Sequence, residues 1–241
     1  MSLLLKREPD SPETLKLASL VSQQTMKAAM TGGDMTAYIA AAKERVEYSR
    51  KYLQAESNDS LKPVAATWLA HSQQVLATGL LSTNEPQAAE AVLQEAVTQL
   101  SVYSSSEPSR TLVFELSQVH LTAARVQEAL GQPGPAILHY AEALSRLVRL
   151  VQDYPDDVTY RSPMALALIR SAALSHAQGN TSVAVEQLST ADYQVREILK
   201  LVPDDAEALA MQQAIPRFRT QIEESAAKPE NVETSLPMTQ P

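Results

Sequence analysis

The stretch that decides the fold is clearest when two segments of equal length are set side by side. Residues 131–155 read GQPGPAILHYAEALSRLVRLVQDYP, and residues 179–203 read GNTSVAVEQLSTADYQVREILKLVP. Both begin with glycine, end with proline and place alanine at the sixth and thirteenth positions, with a large apolar residue between them. Residues 84–108 keep this spacing with asparagine in place of the first glycine. The chain therefore contains a repeat of 47 to 48 residues.

Working outward, five columns of small or apolar residues keep the same register in all three units. They are Ala77, Ala124 and Ala172; Ala89, Ala136 and Ala184; Leu93, Tyr140 and Leu188; Ala96, Ala143 and Ala191; and Leu100, Leu147 and Val195. Alanine lets two helices approach closely, while the larger residues fill the space between turns. Each unit is predicted to be two helices of about 20 residues. The glycine or asparagine turn separates the two helices, and the proline separates one unit from the next.

A single helix hairpin cannot bury its own apolar face, whereas stacked hairpins can, which predicts an all-α solenoid. A closed helical bundle would use the same amphipathic helices. A bundle has no physical reason to repeat at constant length, so the repeat favours the solenoid.

The columns resemble the tetratricopeptide repeat (TPR). In that family a glycine ends the first helix, alanine follows five residues later, an aromatic residue four further and alanine three further; Gly131, Ala136, Tyr140 and Ala143 match this spacing. The usual repeat has 34 residues, and its bulky first-helix aromatic is replaced here by Gln73, His120 and Leu168. The longer form is similar to arrays behind bacterial serine/threonine kinase domains. The resemblance implies a TPR-like superhelix of stacked antiparallel hairpins with about nine helices.

The same pattern predicts the organisation of the chain. We expect a degenerate N-terminal hairpin over residues 1–60, three repeats over 61–203, a capping helix over 204–226 and a disordered tail over 227–241. Ser11 and Asp34 are placed to cap the two helices of the first hairpin, which Gly32 and Gly33 separate. Pro216 is expected to kink or split the capping helix.

Composition excludes several classes of function. The chain has no cysteine, which excludes disulfide scaffolds, thiolate metal sites and cysteine nucleophiles. Its net charge of −8 argues against a nucleic-acid partner. No continuous apolar stretch is long enough for a membrane span, and the start of the chain does not resemble a signal peptide. We expect a cytoplasmic protein.

The search for catalytic and metal motifs is negative. The four histidines have no metal-ligand spacing, and phosphate-loop and nucleophile-elbow motifs are absent, so we expect no metal, no cofactor and no catalytic residue. His120 is predicted to be a partly buried structural residue. The pairs Asp156–Asp157 and Asp204–Asp205 each precede a predicted helix, where capping explains them. An enzyme would become credible only if His71, His139 or His176 met acidic groups in one pocket.

The resemblance implies that the first helix of each hairpin lines a concave face that binds a partner. Carried onto this chain, the groove positions are His71, Gln74, Thr78, Gln118, Leu121, Thr122, Arg125, Glu128, Leu166, Ile169, Arg170 and His176. The planar guanidinium groups of Arg125 and Arg170 are the best candidates for holding a carboxylate. Some family members grip a C-terminal carboxylate with a clamp of lysine, asparagine and arginine. Only Arg170 matches that clamp, which argues against chaperone tails as ligands.

These observations predict a non-enzymatic scaffold or adaptor that binds a protein or peptide segment on its concave face. The alternative is a regulatory or oligomerisation module of a bacterial signalling system, acting through self-association. A small enzyme on a helical scaffold is the third hypothesis, and only the scattered histidines and carboxylates support it.

Overall fold

A computed structural model describes residues 11–104 and 108–227. Within them the chain forms nine α-helices: α1 Pro12–Thr31, α2 Met35–Ala55, α3 Lys62–Ser82, α4 Pro86–Tyr103, α5 Arg110–Ala129, α6 Pro133–Asp153, α7 Val158–Ala177, α8 Thr181–Leu201 and α9 Ala206–Ala227. The tail predicted over 227–241 lies outside the described residues, except for Ala227 at the end of α9.

The helices form four hairpins followed by a single helix. The hairpins are α1–α2, α3–α4, α5–α6 and α7–α8, and α9 packs against α8 and α7. Among the described residues, every pair of helices in extensive contact lies one or two positions apart along the chain. This is the contact pattern of a solenoid, because a closed bundle would also bring distant helices together. The all-α solenoid fold is therefore confirmed.

The four hairpin turns share one backbone geometry. Gly33, Asn84, Gly131 and Gly179 all have positive φ, between 62° and 81°. In each turn the amide N–H of the following residue donates to the carbonyl five residues earlier, as from Gln132 to Gln127 at 2.9 Å. This is the Schellman arrangement, which satisfies carbonyls left free at a helix end. A left-handed residue is needed there, and this need explains the glycine and asparagine column.

The predicted packing columns are buried in full. All fifteen side chains of the five columns are at most 1% exposed. Tyr140 also packs with Ala124 and Ala167, so that one aromatic ring joins three helices. The register read from the sequence is therefore the register of the core.

Acidic and hydroxyl side chains cap the helices as predicted. The Ser11 hydroxyl and the Asp34 carboxylate accept from the backbone amides of Thr14 and Ala37. Asp157 and Asp205 do the same before α7 and α9, accepting from Thr159 and Ala208 at 3.1 and 2.8 Å. Helix capping therefore accounts for the second aspartate of each pair.

The helix α9 runs without a break through Pro216. Of the two effects expected of this proline, the split is therefore wrong, and the kink stays a prediction. Ile215 and Ile222 on the same helix are at most 2% exposed and belong to the cluster that α7 and α8 form. Packing on both sides of the proline holds the helix together despite the lost hydrogen bond.

Candidate partner-binding groove

Two adjoining cavities lie along the first helices of successive hairpins. Their volumes are about 460 and 230 Å³. Both cavities are lined by Gln74 of α3, Gln118 of α5 and Pro163 and Leu166 of α7. Because three first helices contact the same two cavities, these helices form one continuous groove, which we call the first-helix groove.

Helical periodicity explains which side chains reach the groove. On α3 the lining residues are His71, Gln74 and Thr78, separated by three and four positions, which places them on one face of the helix. On α5, Gln118 and Arg125 are seven positions apart and share a face for the same reason. The groove is therefore built by rigid helices, and its shape does not depend on loops.

Amide and hydroxyl groups form the floor of the groove. The Gln74 Nε2 group donates to the Thr122 Oγ1 atom at 3.1 Å and to the Gln118 carbonyl at 3.4 Å. The Thr122 hydroxyl donates in turn to the Gln118 carbonyl at 3.0 Å. The Gln118 side-chain amide makes no hydrogen bond to the described residues, so its donors and acceptor remain available to a ligand.

The two arginines that line the smaller cavity, Arg125 and Arg170, differ in their ion pairing. The Arg170 Nη1 atom lies 3.3 Å from the Glu128 Oε2 atom, and the Tyr140 hydroxyl donates to the other oxygen of Glu128. Burial and this hydrogen bond raise the pKa of Tyr140. Arg125 is exposed and forms no ion pair with the described residues. Of the two arginines, Arg125 is therefore the one whose charge remains uncompensated.

The larger cavity carries acidic groups. Glu115 is 8% exposed, and its Oε1 atom is buried without a hydrogen-bond partner. The His71 Nδ1 atom lies 3.3 Å from that oxygen. Glu207, in the first turn of α9, lines the same cavity and is exposed. A buried carboxylate without a hydrogen bond is costly, so this part of the groove favours a cation.

An enzyme was expected to be credible only if a histidine met acidic groups in one pocket, and His71 does so, because it lines one cavity with two acidic residues. A carboxylate beside an imidazole can act as a general base when a nucleophile is within reach. Ser162 lines the cavity but makes no hydrogen bond to His71, so these two residues form no nucleophile–base pair.

Nine of the twelve predicted groove positions line the two cavities: His71, Gln74, Thr78, Gln118, Leu121, Thr122, Arg125, Leu166 and Arg170. Glu128 adjoins them through its ion pair with Arg170. The structure does not bring Ile169 and His176 to the groove. Ile169 packs against the hydrophobic cluster of the last helices, since it is rotated by about 100° from Arg170 on α7. His176 lies at the end of α7, beside its terminal turn.

Eight lining residues were not predicted as groove positions: Phe114, Glu115, Tyr140, Thr159, Ser162, Pro163, Ala167 and Glu207. Pro163 could have been noticed in the sequence, because proline inside a helix cannot donate a backbone hydrogen bond to the carbonyl four residues earlier. That carbonyl belongs to Thr159, which lines the larger cavity. The proline thus leaves an acceptor without its helical donor at the groove.

A pair of histidines, His120 and His139, lies away from the groove. His120, 7% exposed, has its Nδ1 atom 3.1 Å from the Nδ1 atom of His139, so the predicted burial of His120 is confirmed. Burial, followed by the nearby Arg146 charge, lowers the pKa of His120 to about 4. Among residues 11–104 and 108–227, no three histidine or acidic side chains are arranged to hold a metal ion.

Stacked hairpins with a groove along their first helices define a TPR-like helical-repeat protein, and solved structures agree. The TPR-like repeats of a kinesin light chain from Podosopora anserina are similar to this chain, with a TM-score of 0.53 and 17% identity over 91% of this chain and 98% of that one. A single-substitution variant of those repeats has the same TM-score at 16% identity, covering 88% of this chain and 98% of that one. At these identities the likeness shows the fold alone. The sequence matches neither a known protein family nor a curated protein.

None of the described helices is both long enough and apolar enough to cross a membrane.

Proposed function

We propose that this protein is a non-enzymatic interaction scaffold that binds an extended segment of a partner protein in the first-helix groove. The observation that carries the proposal is the pair of adjoining cavities formed by the first helices of three successive hairpins. Each cavity is lined by the same three first helices, so an extended chain that lies along the two cavities can contact all three helices.

The polar floor supports the same function. An extended segment has unpaired backbone N–H and C=O groups that must find partners on binding. The free side-chain amide of Gln118 can supply such partners, while Leu121, Phe114 and Leu166 offer apolar contact. Arg125 adds a site for a carboxylate.

The test uses a cysteine introduced into a chain that has none. Thr78→Cys places a photo-crosslinker in the groove, and Thr98→Cys places it on the exposed surface of α4. After irradiation in an extract of the source cells, we expect a protein crosslinked at position 78 and not at position 98. Adding Arg125→Ala, which should change the free energy of unfolding by no more than about 0.5 kcal/mol, should reduce the crosslink. Equal crosslinking from both positions would contradict groove binding.

Self-association is the second candidate, and one surface favours it. Leu17, Leu20 and Val21 on α1 are each about 40% exposed and share one face of this helix, the first that the structure describes. If copies associate through this face, light scattering should show a dimer that Leu20→Glu converts to a monomer. A monomer at high concentration would exclude this candidate.

A further inference from the structure

The charged residues of the first-helix groove are segregated along its length. The acidic residues that line the cavities, Glu115 and Glu207, both belong to the larger one. The arginines that line them, Arg125 and Arg170, both belong to the smaller one. The groove therefore has an acidic end and a basic end, joined by the polar floor.

At the acidic end, Glu115 is the decisive residue. The residue is more than nine-tenths buried, and its Oε1 atom has no hydrogen bond. The His71 ring is 3.3 Å from that atom, and the guanidinium of Arg45 on α2 is close enough to act on it electrostatically, yet neither donates a hydrogen bond to it. An ammonium or guanidinium group entering the cavity would offset the negative charge of this carboxylate, and the exposed Glu207 would attract it.

At the basic end, Arg125 is the charged residue without an internal ion-pair partner among the described residues. Arg170 is occupied by Glu128, whereas Arg125 forms no ion pair with the described residues and projects into the smaller cavity. An incoming carboxylate would therefore bind Arg125 without displacing an internal partner.

Helix geometry sets the distance between the two ends. Glu115 and Arg125 are ten residues apart on α5, which corresponds to about 15 Å along the helix axis. An extended chain advances about 3.3 Å per residue, so this distance corresponds to about five residues.

We propose, on the basis of the groove-binding function above, that the groove recognises an extended peptide carrying one basic and one acidic side chain about five residues apart. The basic side chain binds at Glu115 and the acidic side chain at Arg125. This arrangement distinguishes the bipolar segment from a purely acidic tail, which would meet Glu115 and Glu207 with the wrong sign.

Fluorescein-labelled peptides with blocked, uncharged ends test the proposal by fluorescence anisotropy. The test peptides carry one lysine and one aspartate about five residues apart, in both orders, in an alanine, threonine and leucine background. Control peptides replace aspartate by asparagine, replace lysine by glutamine, or place the two charges side by side. One spaced peptide should bind at least about tenfold more tightly than every control, as expected for one charge-assisted hydrogen bond.

Protein variants assign each charge to its end of the groove. Glu115→Gln keeps the side-chain shape and should remove the advantage of lysine while preserving that of aspartate. Arg125→Gln should do the reverse. If the affinities are independent of charge spacing, or each variant affects both charges alike, the bipolar proposal is wrong.

A blocking variant separates this failure from failure of the proposed function. Leu166 lines both cavities and is 37% exposed, so Leu166→Trp should fill the groove without disturbing the core. Binding that ignores charge pattern but is lost in Leu166→Trp would overturn only the bipolar proposal. Binding that survives in Leu166→Trp would overturn both, whereas no binding by any peptide up to about 1 mM would overturn the bipolar proposal and leave the crosslinking experiment to decide the proposed function.

Discussion

At the scale of single residues, Tyr38 and Gly79 show how the first hairpin departs from the repeat. Counted from the hairpin turns, Tyr38 occupies the position of Ala89, Ala136 and Ala184. The larger ring is accommodated because Gly79 lies opposite it on α3, where the later repeats have Val126 and Leu174. A large side chain on one helix is thus matched by the absence of a side chain on the next.

The change Gly79→Ala should destabilise the protein by about 1–3 kcal/mol. A β-carbon at Gly79 would lie 2.8 Å from the Tyr38 Cε1 atom, and the Tyr38 ring is buried. This clash should outweigh the gain in helix propensity, which is about 1 kcal/mol. Urea unfolding measures the effect. In the control Gly134→Ala, the new methyl group meets nothing within 4 Å, so that variant should be neutral or more stable; equal effects of the two changes would contradict the packing described here.

His120 should make stability depend on pH. Its pKa is lowered to about 4 from an ordinary value near 6.5, because burial and the charges of Arg146 and His139 oppose protonation, while Glu142 favours it less strongly. The unfolded chain therefore binds a proton at a higher pH than the folded chain does. The contribution of neutral His120 to the free energy of unfolding is therefore complete above about pH 6.5 and is lost as the pH falls toward 4. The loss amounts to about 3 kcal/mol at most.

The variant His120→Leu tests this dependence, because Leu168 already fills the equivalent position on α7. Urea unfolding of both proteins between about pH 7.5 and pH 4 gives the comparison. We expect the variant to lose less stability than the wild type over this range. Parallel pH profiles would show that His120 does not titrate in this way.

At the scale of elements, the hairpin turns and the alanine columns set the geometry of each unit. The turns depend on one left-handed residue, and the columns depend on the absence of side-chain volume between helices. These are separate requirements, so they predict separate responses to mutation.

In the turn, Gly131→Ala should destabilise by about 1–2 kcal/mol, because a left-handed backbone is unfavourable for any residue with a β-carbon. Gly131 has φ of 69°, and an added methyl group would meet no atom within 4 Å, so the cost is one of backbone conformation alone. Asn84→Gly, which relaxes the same requirement at the preceding turn, should have the opposite sign. Thermal unfolding followed by circular dichroism measures both, and a loss of stability in Asn84→Gly would argue against this account.

In the column, Ala136→Leu should destabilise by about 1–3 kcal/mol, because the added volume must enter a close helix contact. Ala136 is fully buried, whereas Ala141 on the same helix is exposed. The control Ala141→Leu should therefore change the free energy of unfolding by no more than about 0.5 kcal/mol. Calorimetry compares the two, and a silent Ala136→Leu would place the repeat in a different register.

At the scale of the whole molecule, extensive contacts among the nine described helices join only helices that are close in sequence. Stability in such an array is approximately a sum of hairpin terms and neighbour interfaces, and it is lower at the ends. The groove lies over α3, α5 and α7, in the interior of the array. The proposed binding surface is therefore carried by helices that have neighbours on both sides.

Native-state hydrogen exchange should reveal this gradient. Amides of α1 and α9, which within residues 11–104 and 108–227 have neighbouring helices on one side only, should exchange faster than those of α5 and α6. Gly131→Ala should increase exchange most in its own hairpin and less with distance along the stack. If protection is uniform along the wild-type stack, and Gly131→Ala lowers it equally in every hairpin, the molecule would instead unfold as a single cooperative unit.

The sequence by itself determined the helices, their turns and their buried columns. Each depends on local spacing: Gly131 supplies a left-handed turn and Ala136 a close contact, wherever the rest of the chain lies. The groove face could also be predicted in large part, because positions three and four residues apart on α3 and α5 must share a face.

The tertiary structure alone decided which groove charges remain available. Sequence spacing treats Arg125 and Arg170 alike, but α5 places Glu128 against Arg170 and leaves Arg125 without an ion pair among the described residues. Likewise, Glu115 and Glu207 lie 92 residues apart in sequence, and they line one cavity because α9 packs beside α7. Periodicity fixes which way a side chain faces on its own helix, whereas its partners depend on the packing of one helix against another.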